Sequence, residues 1–314
     1  MKAPWPIAIS LTKGIPMYVL LGSNGNITSK AAALLLAHGA EVRVVGRNAR
    51  SLAAIQTAGA QIAAGDIADE NFLSRAFAGA TAVYAMIPSD YTVPDMGADQ
   101  DQMGAAIAGA VVSAGVKRIV SLSSIGAHLA VGSGPITGLH RQEQRLNALG
   151  DLDVLHLRPG YFYENHLVAI EMIRTMGSYA DMTAPDVPLP MVATADIAQV
   201  VARELLTPSG KGKRVLHLRA PHLYTMREAT ARLGAAVDKP ELTYVQSDPQ
   251  QGKAALMQHG FSASAASLLE EMSAAFSTGI LNGEHEKGPT EAAQTTLEEF
   301  AVTVFKPAFV AGIR

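Results

Sequence analysis

The sequence predicts an α/β fold: a doubly wound parallel sheet with a smaller C-terminal α+β lobe. Three observations predict it. Short apolar runs alternate with Ala- and Leu-rich helical runs up to residue 159, and successive parallel strands need crossovers of about that length. The apolar runs are nearly continuous, as strands covered on both faces require. Glycines sit where the helical runs stop, and such stops separate helix from strand.

In chain order, residues 17–21 read as a buried strand ending at Gly22, and 29–38 as a helix stopped by Gly39. Strand 41–45, helix 50–58 and strand 61–64 follow, the last closed by Gly65 and Asp66. Helix 70–77, strand 82–87 ending at Pro88, helix 100–114, strand 118–122 and strand 154–157 complete the first part. Beyond Pro159 the rhythm changes: helices at 167–176, 195–206, 226–236, 263–277 and 297–305, and a lone strand at 214–218. The expected division is an extension over 1–16, a nucleotide-binding domain over 17–159 and a smaller substrate or lid lobe over 160–314. A lobe at the end of such a sheet is placed to cover a ligand.

The chain has 314 residues with 25 basic and 28 acidic side chains, a formal charge of −3. That balance argues against direct, sequence-independent nucleic-acid binding, which needs a cationic surplus. Absence of cysteine removes thiolate catalysis, disulfides and Cys-ligated metals, and fits a reducing, cytoplasmic setting. No apolar run is long enough for a membrane span, and the prolines in residues 1–16 argue against a signal peptide. His156, His217 and His222 lack metal-ligand spacing, so no metal is expected.

The first strand runs into Gly22-Ser23-Asn24-Gly25-Asn26-Ile27-Thr28. Gly22 permits a tight turn, Gly25 lets backbone approach a pyrophosphate, and the following helix offers free N–H groups to the anion. Thr28 stands where a third glycine usually eases helix–strand packing. The second strand ends Val45-Gly46-Arg47, with no acid to hold ribose hydroxyls. An arginine there pairs with a 2′-phosphate, so NADP(H) is the preferred cofactor and NAD(H) the second choice. Asp66 reads equally as an adenine partner or a turn residue; Ile67, Met86, Ile87 and Pro88 line the path beneath the dinucleotide.

Together with Ser121-Leu122-Ser123-Ser124, the segment Leu157-Arg158-Pro159-Gly160-Tyr161-Phe162-Tyr163-Glu164-Asn165, residues 192–198 and residues 296–300, these motifs resemble the NmrA-like, atypical branch of the short-chain dehydrogenase/reductases. The resemblance covers nearly the whole chain from Met17. It implies a Rossmann domain, a small C-terminal lobe and NAD(P)H in the cleft between them. Relatives in that branch include quinone and azo-dye reductases and regulators that only sense the dinucleotide. The usual Tyr-x-x-x-Lys pair is missing; Gly138-Leu139-His140-Arg141 occupies that stretch, and His140 takes roughly the lysine's place.

His140 is therefore the candidate proton donor, with cofactor orientation as its other reading; Ser123 and Ser124 are candidates to hold nicotinamide or substrate oxygen at a strand end. Pro159, Tyr161 and Phe162 are expected beside the nicotinamide, and Tyr161, Phe162, Tyr163 and Asn165 around a flat acceptor. Glu143 and Arg145 read as a solvated helix face, and Asp196 as a helix cap. The expected function is NADPH-dependent reduction of a quinone or similar flat small-molecule electron acceptor; the alternative is a non-catalytic NADP(H) sensor. A homodimer or protein partner is left open by the sequence.

Overall fold

Strands whose side chains are apolar on both faces can only sit inside a layered sheet, and here they form its centre. The computed structural model describes residues 15–22, 25–282 and 288–312; the expected extension over 1–16 falls almost wholly outside them. The first part of the chain runs β1 (Met17–Leu21), α1 (Asn26–Ala37), β2 (Glu41–Gly46), α2 (Ala49–Thr57), β3 (Gln61–Ala64), α3 (Glu70–Phe77), β4 (Ala82–Ala85), α4 (Met96–Ser113), β5 (Arg118–Leu122), α5 (Ile136–Asn147) and β6 (Asp153–Pro159). It continues through β7 (Tyr161–Phe162), a 3-10 turn over Tyr163–Ala169, α6 (Ile170–Met176), β8 (Ser178–Asp181), β9 (Leu189–Val192) and α7 (Thr194–Leu206). Then come β10 (Lys213–Arg219), β11 (Leu223–Tyr224), α8 (Met226–Ala236), β12 (Thr243–Gln246), α9 (Pro249–Gln258) and α10 (Ala263–Ser277). β13 (Thr290–Ala292), α11 (Leu297–Phe300), a π-helical turn and α12 (Lys306–Ala311) close the chain.

The main sheet has eight strands in the order β13-β10-β6-β5-β4-β1-β2-β3, and every pairing in it is parallel. The two-residue period sends Tyr18 and Leu20 of β1 to one face and Val19 and Leu21 to the other. The first face packs against α1, α2 and α7, the second against α3, α4 and the end of α5. The strand order reverses between β1 and β4, which opens a crevice at the carboxyl ends of the strands.

The sheet does not stop at residue 159. The strand expected to stand alone at 214–218 is β10, paired with β6 from Lys213↔Val154 to Leu218↔Pro159, and β13 pairs with β10 in turn. Helix α7 packs on α1, so this stretch builds the sheet layer as well. The remaining elements form a third apolar cluster around Tyr163, Tyr179, Phe276 and Phe300. A three-stranded sheet β11-β9-β7 and a pair β12-β8 edge it. These strands have two to four residues each, too short for a periodic signal. The helix expected at 167–176 begins only at Ile170, because Tyr163–Ala169 winds more tightly.

Candidate functional site

The turn after β1 is shaped by what Gly22 lacks. Its φ is +116°, and a Cβ there would fall 2.5 Å from Thr28 Oγ1. Thr28 donates its hydroxyl to the Leu21 carbonyl at 2.8 Å and is buried. The residue in the third-glycine position thus fills the space beside Gly22 and ties helix to strand. Gly25 is the N-cap of α1, and the helix has no acidic residue in its first turn; Asn26 opens it, exposed, and Ile27 is buried against the sheet. Ser23 and Asn24 lie outside the described residues. A helix N-terminus with no acid in its first turn and, among the described residues, no capping side chain, behind a glycine turn, suits an anion.

Two cavities open at the carboxyl ends of the strands, on either side of the segment that leaves β4. The larger, about 430 Å³, is lined by Arg47, Asp66, Ile67 and Pro88 together with Asp90 and Asp99. Arg47 Nη1 donates to Asp90 Oδ2 at 3.2 Å. Hydrogen bonds from the Thr92 hydroxyl and main chain, and then from Arg47, hold the Asp90 carboxyl below its usual range. Burial, with repulsion from Asp90 and Asp66, pushes Asp99 up. Asp66 Oδ1 accepts the Ala68 N–H at 2.9 Å, so Asp66 shapes a turn while also lining the cavity.

The smaller cavity, about 250 Å³, is walled by Met86, Ile87, Ser123, Ser124, Tyr161, Phe162 and Asn165 from the sheet side. Leu269, Met272 and Phe276 of α10 close it from the lobe side. No Asp, Glu, Lys, Arg or His is among its described lining residues. Tyr161 meets Phe276 edge-on with ring centroids 5.8 Å apart. Burial and the nearby Asp181 push the Tyr161 phenol well above its ordinary range, against hydrogen bonds with Tyr179 and Asn165, so it holds its proton. Tyr91, also in the wall, stacks on Phe261 at 5.0 Å.

Three of the expected site residues stand elsewhere. Tyr163 points into the lobe core, its ring 5.4 Å from Phe300. Pro159 is buried at the end of β6, where its carbonyl accepts the Ile125 N–H at 3.1 Å; its neighbour Gly160 reaches the cavity. His140 lines neither cavity. Its Nδ1 lies 2.8 Å from the Ala127 carbonyl oxygen, and since a carbonyl only accepts, Nδ1 carries the proton. Ile136, four residues earlier, lies on the cavity wall.

Glu143 and Arg158 were given no role in the site, and they stand behind Ser123, which lines the smaller cavity. Glu143 is not on a solvated face: it is 2% exposed and Arg158 is 7% exposed. Arg158 Nε donates to Glu143 Oε1 at 2.9 Å and Nη2 to Oε2 at 2.6 Å. Ser123 Oγ donates to the same Oε1 at 2.5 Å. Burial pushes the Glu143 carboxyl up, but the Arg158 hydrogen bonds and charge, aided by Ser123 and His156, win and hold it below its ordinary value. The Ser123 hydroxyl has one proton and has given it to Glu143, so toward the cavity it can only accept. Two sequence signals pointed here: Glu143 lies on the same helix face as Ile136 and Leu139 at i, i+3, i+7, and an arginine inside a buried strand demands a partner.

Arg145 and Arg141 both bond Asp101 of α4, at 2.5 and 2.7 Å. Asp196 does not cap its own helix; its Oδ2 accepts the Thr295 N–H at 3.1 Å and ties α7 to the chain before α11. The α7 N-terminus is held instead by Glu164, whose carboxylate accepts from the Thr194 N–H and hydroxyl. Among the described residues no group of three or more potential ligands could hold a metal ion, and no helix is long and apolar enough to cross a membrane.

Comparison with known proteins bears on the family and the fold. A family model described as NAD(P)H-binding matches residues 22–208. The chain is 29% identical over 289 residues to an NAD(P)H azoreductase of Xenophilus azovorans, covering 91% of this chain and 96% of the relative. An NADPH-dependent quinone oxidoreductase of Escherichia coli, solved with NADPH, superposes with a TM-score of 0.74 at 22% identity, covering 92% of this chain and 100% of the other. The Citrobacter sp. triphenylmethane reductase, solved with NADP(H), gives 0.71 at 17% identity over 91% and 98% of the two chains. At those identities the two structures speak to the fold, which is a Rossmann-type sheet.

Proposed function

The chain belongs to the NAD(P)H-binding family, and from that premise we propose that it is an NADPH-preferring oxidoreductase acting on a flat small-molecule electron acceptor of the quinone or azo type. The contrast between the cavities carries this reading: one end is charged, with Arg47 at its rim, while the other is aromatic and apolar with no charged side chain among its described lining. The residues fit the dinucleotide. Gly22, Gly25 and the free N-terminus of α1 suit its pyrophosphate, Asp66, Ile67 and Pro88 its adenosine, and Arg47 its 2′-phosphate. Met86, Ile87, Tyr161 and Phe162 wall the position left for the nicotinamide and acceptor. When bound, the reduced cofactor supplies the hydride.

The protein's own part is placement and exclusion. Ser123, its proton held by Glu143, offers a lone pair to a donor such as a carboxamide N–H. Tyr161 and Phe162 offer faces for stacking, and α10 covers the cavity from the lobe side. A strong acid is not supplied: His140 lines neither cavity, and the Tyr161 phenol is pushed up. That suits acceptors whose reduced anions are already stabilised. We assign His140 to holding the Ala127 loop. The names of the azoreductase, quinone oxidoreductase and triphenylmethane reductase support a flat aromatic acceptor, and the cysteine-free sequence supports a reducing compartment such as the cytoplasm.

Acceptor-dependent oxidation of NADPH across a panel of quinones and azo dyes tests the activity. Turnover with at least one is expected, faster with NADPH than NADH. Tight NADPH binding without any turnover would replace the enzyme by a dinucleotide sensor. Arg47→Ala should weaken NADPH by about ten-fold or more, the scale of a lost charge-assisted contact, and NADH far less; equal losses would remove the 2′-phosphate assignment.

A further inference from the structure

The larger cavity gathers three carboxylates, Asp66, Asp90 and Asp99, around one guanidinium, Arg47. That charge balance is unfavourable for a ligand with an additional phosphate, and the arginine that would receive the phosphate already has an anionic partner. Asp90 is set in place by its own loop: its Oδ1 accepts the Thr92 N–H at 3.0 Å and the Thr92 hydroxyl at 2.7 Å. Its second oxygen, Oδ2, faces Arg47 Nη1 at 3.2 Å. The arginine side chain is 67% exposed and the aspartate 28%, so the acid is the fixed member and the arginine the arm that can swing.

We propose that Asp90 is a specificity-determining residue: a tethered carboxylate that competes with the 2′-phosphate of NADPH for Arg47 and thereby limits how strongly the site prefers NADPH over NADH. This rests on the assignment of Arg47 made above. NADPH must take the guanidinium away from Asp90 and then lie beside the freed acid, whereas NADH can bind with the pair intact. An exposed pair of this kind changes an equilibrium constant by at most about five-fold, and repulsion between Asp90 and a phosphate adds to it. The carboxylate therefore acts as a brake on discrimination, and its neutral isostere should release it.

The test is calorimetric titration of the purified full chain with NADPH and with NADH, for the parent, Asp90→Asn, Arg47→Ala, the Asp90→Asn/Arg47→Ala pair, and Asp99→Asn as a charge control. Asp90→Asn is expected to raise the preference for NADPH, read as the ratio of the two dissociation constants, by about three- to ten-fold. Asp99→Asn should raise it less, and Asp90→Asn should leave the ratio unchanged once Arg47 is alanine. An unchanged ratio in Asp90→Asn, an equal gain in Asp99→Asn, or a gain that persists without Arg47 would each overturn the proposal. If Arg47→Ala collapses the ratio while Asp90→Asn does nothing, only the role of Asp90 falls. If Arg47→Ala itself leaves the ratio at the parent value, the phosphate assignment falls and carries this one with it.

Discussion

Replacing Arg158 by methionine removes the guanidinium from a pair that water barely reaches. Two charge-assisted hydrogen bonds to Glu143 go with it, leaving the carboxylate with the Ser123 hydroxyl. Breaking one side of a buried pair costs about 3–5 kcal/mol. A second route gives a ceiling. Without Arg158, burial dominates and the Glu143 pKa rises, so the folded variant can take up a proton instead of burying a bare charge. From an ordinary value of 4.5, doing so at pH 7.5 costs about 4 kcal/mol, at about 1.4 kcal/mol per pH unit. The sign follows: in the parent the depressed Glu143 pKa keeps its contribution constant above about pH 4.5, while the raised pKa in Arg158→Met makes that variant recover stability as pH falls. The gap between them should narrow by about 1.4 kcal/mol per unit from pH 7.5 to 5.5. Besides burial, His156 and His217 each feel Arg158, which lowers them, and Glu143, which raises them, so losing the guanidinium and protonating the carboxyl act on these rings in opposite senses. Urea denaturation at pH 5.5, 6.5 and 7.5 measures the gap. The variant with Glu143→Leu added should regain most of the loss, because an apolar pair of similar volume needs no counter-charge. A loss under about 1 kcal/mol, a gap independent of pH, or no recovery in the double variant would refute the buried-pair account.

Other expectations follow from single contacts. His140→Ala should cost about 1 kcal/mol of stability through the lost Ala127 bond and leave kcat within about ten-fold, below what a general acid contributes; a larger loss with an altered pH–rate profile would restore it as the proton donor. Gly22→Ala should weaken dinucleotide binding at least about ten-fold and lower Tm, since φ is +116° and the added carbon meets Thr28; unchanged titration and melting curves would show that the turn tolerates a side chain. His156, His166 and His217 are each pushed down to about 4, burial being the main cause. The unfolded chain binds protons there from about pH 6.5 downward while the folded one does not, so stability should fall between pH 6.5 and 4, by up to about 1.4 kcal/mol per unit for each histidine. A flat melting temperature across that window would mean that these rings are hydrated or charged in the fold.

The sheet was legible because burial on both faces leaves a mostly apolar run, unbroken in β1 and β4 and interrupted only by Arg43 in β2 and Ser121 in β5. The turn at Gly22 was legible for a similar reason, since strand, glycines and helix are contiguous. What escaped depends on distance along the chain. Arg47 meets Asp90 across 43 residues, and nothing near Arg47 announces that it is already engaged. Glu143 sits on a helix dense with polar side chains, where a charge usually faces water; only the strand that passes beneath it, with Arg158 turned inward, makes it a core residue. Tyr163 follows Tyr161 and Phe162 in sequence, but the chain tightens into a 3-10 turn there and its ring goes to the lobe core instead of the cavity. Thr28 looked like a departure from a glycine pattern, and the packing shows why it is tolerated: its hydroxyl takes the volume beside Gly22. In each case local pattern set the backbone, while the role of the side chain was decided by the element packed against it.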